Sequence, residues 1–127
     1  IFPEGTRKAP LAPHDYRYGI VRMYLDLGVP VVPVALTSGL YWSRKSLILL
    51  PGTARARFLP AILPGLDAET FREQLVTAIE GETNAMILDA YQQGLTRPLV
   101  EPLAGRLQAL AAGHPPIAEE RPKPTIS

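Results

Sequence analysis

The chain has no cysteine among its 127 residues, which excludes disulfides, thiolate nucleophiles and cysteine-based metal sites. No stretch approaches the roughly 18 consecutive apolar residues that a membrane-spanning helix needs. The first residues carry no signal-peptide pattern. Histidine is scarce, with only His14 and His114, and tryptophan occurs once, at Trp42. A P-loop, a G-x-S-x-G elbow, a His/Asp metal spacing and a nucleic-acid-binding motif are all absent. What remains is ordinary in bulk: 46% hydrophobic and 20% charged residues, enough for one small domain with a core.

The net charge of +1 hides an uneven distribution. Residues 1 to 66 hold eight Lys/Arg against three acids, whereas residues 67 to 93 hold six acids against Arg72 alone. A basic front half suits an anionic substrate, an acidic carrier or an anionic lipid surface, and equally an ordinary solvated face.

Residues 1 to 19 are rich in turn formers (Pro3, Gly5, Pro10, Pro13, Gly19) and read as a strand end followed by a long loop. From Ile20 to Leu27 apolar residues recur at roughly helical spacing, and Gly28 is a natural C-terminal stop. Val29 to Leu36 is apolar on both faces, as a buried strand should be, but Pro30 and Pro33 cannot donate to a ladder. A further apolar run, Leu47 to Leu50, ends at Pro51-Gly52. Thr53 to Leu59 alternates like a half-exposed strand, with Ala54, Ala56 and Phe58 on one face and Arg55 and Arg57 on the other. The two arginines are suited to phosphate or an acidic carrier, and better to the acids of the segment that follows. Asp67 is a helix N-cap, and Phe71, Leu75, Ile79, Met86 and Ala90 form a stripe to about residue 93, weakened at Gly81. Residues 99 to 112 read as a short helix, and the proline-rich 113 to 127 as a disordered tail.

Chemistry concentrates near the start, in Phe2-Pro3-Glu4-Gly5-Thr6-Arg7. Glycine lets the backbone turn sharply and approach a ligand. Arg7 offers a planar fork that matches phosphate oxygens, Thr6 adds a hydroxyl donor, and Glu4 is suited to hold the guanidinium or orient a substrate hydroxyl. On chemistry alone, the same four residues also make an ordinary surface turn. Leu40 to Lys45 joins aromatics to cations, as membrane-interface segments do and as a packed aromatic pair beside solvated cations also does.

The hexapeptide closely resembles the F-P-E-G-T-R block of the 1-acylglycerol-3-phosphate acyltransferase (PlsC-like) family. Val29 to Leu36, VPVVPVAL, resembles that family's downstream V-P-[IV]-[IV]-P-V-[AG] strand, and Tyr16-Arg17-Tyr18-Gly19 its basic residue-x-Gly element ahead of a helix. The resemblance covers about residues 1 to 93. It implies an α/β architecture, a mixed β-sheet flanked by helices, forming the C-terminal part of such a domain. Residues 94 to 112 would be a short helical extension.

The implied reaction moves a fatty acyl chain from acyl carrier protein or coenzyme A to lysophosphatidic acid, giving phosphatidic acid. Another acceptor remains open: glycerol-3-phosphate, another lysophospholipid or a lipid A precursor. So does a non-catalytic anionic-lipid-binding module. By the resemblance, Glu4, Gly5, Thr6 and Arg7 bind the acceptor phosphate and Arg17 adds a cation. Pro33 would shape the acyl or acceptor pocket. No metal, cofactor or nucleic-acid partner is implied beyond the thioester co-substrate.

The family's general base is a His in an upstream H-x-x-x-x-D block. Here His14 is followed five residues on by Gly19, and His114 by Glu119 within the tail, so no catalytic residue is assigned. His14 reads as a solvated loop residue. A chain that opens at Ile1 with its motif at residue 2 is read as part of a longer protein, inactive alone and poorly soluble. The longer protein would sit at the cytoplasmic face of a membrane, with any anchor upstream of residue 1.

Overall fold

A computed structural model describes residues 1–42, 47–94 and 103–113. The expected cations Arg44 and Lys45, the segment 95–102, and the tail with His114 and Glu119 lie outside the described residues.

Residues 1–17 contain turns and no strand, so the expected strand end is not formed here. Helix α1 (Tyr18–Leu27) then ends where Gly28 adopts φ 61 and its N–H caps the Tyr24 carbonyl. Glycine carries that left-handed conformation without a Cβ clash, which is why the helix stops there. The buried face of α1 is Ile20, Val21 and Tyr24, while Met23, Leu25 and Leu27 stay exposed. The apolar periodicity therefore overstated the buried stripe.

Strand β1 covers only Val34–Leu36 and pairs antiparallel with β2 (Ala56–Phe58), with Val34 opposite Phe58 and Leu36 opposite Ala56. The long strand expected over 29–36 is cut short by its prolines. Pro33 still accepts a bond from Leu59 N–H at 2.9 Å, and pairing resumes at Val31, which exchanges two bonds with Ile62. Between these points residues 59–61 oppose 32 and 33. The extra residue, beside Pro60, marks a bulge in the second strand. Val29, Val32 and Leu36 are 47%, 51% and 40% exposed, so this run is not sandwiched as a central strand would be.

Beyond β1, a 3₁₀ turn at Ser38–Leu40 buries Leu40. Helix α2 (Ala68–Gln92) spans 25 residues and runs unbroken through Gly81. The Asp67 carboxylate caps it by accepting Thr70 N–H and the Thr70 hydroxyl. These bonds, first the side-chain one and then the backbone one, hold the Asp67 carboxyl below its usual range. Helix α3 (Leu103–Ala111) packs on the C-terminal half of α2. Helices and a two-stranded antiparallel sheet thus combine as part of an α/β domain.

Two cores share α2. The first gathers Tyr16, Ile20, Val21, Tyr24, Ile62, Phe71 and Leu75. At its centre the rings of Tyr24 and Phe71 stack 3.8 Å apart and nearly parallel. The Tyr24 hydroxyl donates to the Leu63 carbonyl and accepts from Leu66 N–H, so a buried ring also fixes the turn before α2. The second core joins Leu11, Leu40, Ile87, Leu103 and Leu107. Arg55 pairs with Asp89 at 2.9 Å and Arg57 with Glu82, so these two arginines meet the acids of α2, as the charge pattern favoured. On the opposite face Phe58 is 76% exposed.

Candidate functional site

A cavity of about 230 Å³ lies between the two cores. One wall is the start of the chain, including Glu4, Thr6 and Arg7; a second is the middle of α2, with Glu80, Thr83 and Asn84 beside Ile79 and Ile87; a third runs from β1 through the 3₁₀ turn to Trp42. Residues 80, 83, 84 and 87 recur at helical spacing and form a face next to the core stripe, so α2 offers a half-polar surface where the cores separate.

The hexapeptide folds as a tight turn. Gly5 N–H donates to the Phe2 carbonyl at 2.9 Å, with Pro3 and Gly5 at the positions where such turns favour them. Gly5 has φ 65, and a Cβ there would lie 3.0 Å from Arg17 Nε. The Glu4 carboxylate accepts the backbone N–H of Asp15 at 2.7 Å, and the Glu4 carbonyl accepts Arg17 Nε at 3.1 Å. Arg17 N–H donates to the Pro3 carbonyl at 2.9 Å. Glu4 and Arg17 are therefore braces between the turn and residues 15–17.

Of the five residues singled out from sequence, Glu4, Thr6 and Arg7 line the cavity, whereas Gly5 and Arg17 do not. The Arg7 guanidinium carbon sits 5.1 Å from the centre of the Trp42 ring, a cation–π arrangement between two residues that both line the cavity. Pro33 is buried but does not line the cavity. Nor does His14, which is exposed and meets the Tyr16 ring edge-on at 5.7 Å between centres.

Sequence reasoning missed Tyr16 and Glu80. The buried Tyr16 donates its hydroxyl to the Glu80 carboxylate at 2.9 Å across 64 residues. Burial pushes the Glu80 carboxyl up; the Tyr16 bond and His14 oppose this, and Glu4 adds to it. Burial also raises Tyr16, with the Glu80 charge second. An acid on the helix face next to the core stripe was the available signal. Its partner is too distant in sequence for any periodicity to reveal.

Another unforeseen feature is Leu11. It has φ 56 in the turn closed by Ala12 N–H to the Ala9 carbonyl, with Pro10 before it. That is the place where a type II turn prefers glycine. Burial in the second core holds leucine there.

Residues 1–37 match the Acyltransferase family. A 1-acyl-sn-glycerol-3-phosphate acyltransferase of Pseudomonas aeruginosa is 34% identical over 62 residues, which is 49% of this chain and 24% of that protein. The chain thus spans about a quarter of the length of the curated relative it matches. No solved structure matches it.

Proposed function

We propose that this chain, whose opening residues form part of an acyltransferase-family domain, supplies the acceptor-phosphate site of a phospholipid-synthesising acyltransferase. The acceptor would be 1-acyl-sn-glycerol-3-phosphate and the donor an acyl thioester of acyl carrier protein or coenzyme A. The acceptor hydroxyl attacks the thioester carbonyl, the carbon–sulfur bond breaks, and the hydroxyl proton leaves through a general base as the thiol departs. Phosphatidic acid and the free carrier thiol result. The longer enzyme would work at the cytoplasmic face of a membrane.

The observation that carries this reading is the convergence of Arg7, Thr6 and Glu4 on one cavity, with the Arg7 fork held over Trp42. A guanidinium beside a hydroxyl donor suits a phosphate dianion. Gly5 and Arg17 would serve by shaping and bracing the turn. His14 does not line this cavity, and His114 is followed five residues on by Glu119 in a proline-rich segment, unlike the H-x-x-x-x-D block. We therefore assign the base to a part of the enzyme beyond these 127 residues.

The test compares the complete encoded polypeptide with residues 1–127 alone, supplying lysophosphatidic acid and either acyl thioester. The expected result is phosphatidic acid from the complete enzyme and none from the shorter chain. Turnover by residues 1–127 would overturn the assignment of the base. Transfer only to glycerol-3-phosphate or another lysophospholipid would overturn the choice of acceptor.

A further inference from the structure

The phosphate turn is fastened to residues 15–17 at three points: Asp15 N–H to the Glu4 carboxylate, Arg17 N–H to the Pro3 carbonyl, and Arg17 Nε to the Glu4 carbonyl. At the centre of that fastened segment stands Tyr16, buried in the first core, its hydroxyl bonded to Glu80 on α2. Glu80 shares the cavity with Thr6 and Arg7. Helix α2 is itself fixed by Phe71 and Leu75 in the same core. A continuous path therefore runs from a rigid helix, through one hydrogen bond, to the turn that carries Arg7.

We propose that Tyr16 and Glu80 are positioning residues for acceptor binding, setting the distance between the Arg7 turn and the polar face of α2. This rests on the reading of Arg7 as the phosphate ligand. Neither residue needs to touch the reacting atoms. Their bond holds the turn against α2, so that a phosphorylated acceptor meets both walls at once. Loss of the bond leaves the Tyr16 ring in the first core but removes its polar tie to α2 beside the cavity, and the acceptor must then order the turn further on binding.

The experiment measures steady-state kinetics of the complete enzyme with lysophosphatidic acid varied and the acyl thioester saturating. Tyr16→Phe and Glu80→Ala should each raise KM for the acceptor roughly five- to tenfold, as losing one positioning hydrogen bond would. The kcat and the KM for the thioester should stay near parental values. Glu80→Gln should restore most of the acceptor affinity, because its amide oxygen still accepts the Tyr16 hydroxyl. The double variant should be no worse than either single one, since both break the same bond.

Parental acceptor KM in Tyr16→Phe, or effects that multiply in the double variant, would overturn the proposal. A merely structural role would lower the amount of active enzyme without moving KM, and that too would overturn it. Arg7→Ala keeps the two levels apart. If it leaves acceptor KM unchanged, the phosphate reading fails; if it raises KM while Tyr16→Phe does not, only the positioning role falls.

Discussion

Replacing Gly5 by alanine isolates what the turn demands of its sequence. Two penalties are expected, of unequal size. The first is conformational: a φ of 65 costs an L-residue about 1–2 kcal/mol. The second is steric, because the new Cβ would sit 3.0 Å from Arg17 Nε and 3.1 Å from Arg17 Cδ. Those atoms belong to a flexible, exposed side chain that swings aside, giving up one exposed hydrogen bond to Glu4 worth about 0.5 kcal/mol, the low end for such a bond. Against both stands a gain of about 0.4–1 kcal/mol, because alanine restricts the unfolded chain. The balance is a net loss of about 1 kcal/mol, and the backbone term dominates.

Urea unfolding of residues 1–127, followed through the fluorescence of Trp42, the one tryptophan among them, gives the difference directly. Gly5→Asn should lose less than Gly5→Ala, since asparagine tolerates the left-handed region. Adding Arg17→Ala to Gly5→Ala should recover little. If alanine proves as stable as glycine, or Arg17→Ala restores full stability, the ranking of the two terms is wrong.

Leu11→Gly should destabilise despite relieving a positive φ: it recovers about 1–2 kcal/mol of strain but forfeits about 2–3 kcal/mol of leucine burial, measurable as a lower urea midpoint. Phe71→Ala empties the site stacked on Tyr24 and should cost about 3–5 kcal/mol, read in the same assay; a loss below 1 kcal/mol would contradict the packing. Because the folded Glu80 carboxyl is raised above its unfolded value, the folded state holds its proton longer. Stability should then fall as pH rises from the ordinary carboxylate range through the raised folded pKa. Thermal melts of Glu80→Gln should lack that decline; an identical pH profile in both proteins would refute the assignment.

Local chemistry was legible in the sequence wherever cause and effect lie within a few residues. Gly28 ends α1, Asp67 caps α2, and the stripe from Phe71 to Ala90 sets the span of that helix. Arg57 in β2 and Arg55 just before it find the acids of α2 because the charge imbalance between the two segments was large. The motif marked where polar side chains gather, and three of the five residues singled out line one cavity.

What could not be read depends on contacts distant in sequence. Val29 to Leu36 looks like a full strand by composition, yet two prolines and a bulge leave only three residues in regular pairing. Leu11 occupies a glycine-type conformation because a core some 76 residues downstream, at Ile87, receives its side chain. The tie between Tyr16 and Glu80 has the same character. Tertiary packing decides each of these, and local propensity carries no trace of it.

The central claim is that Arg7 holds the acceptor phosphate, and titration of lysophosphatidic acid into the complete protein and its Arg7→Ala variant tests it most directly. Losing a charge-assisted bidentate contact should weaken binding by about 1.5–3 kcal/mol, roughly ten- to a hundredfold. Arg7→Lys should recover only part of that, because a point charge cannot reproduce the fork. Equal affinities for parent and Arg7→Ala would contradict the account.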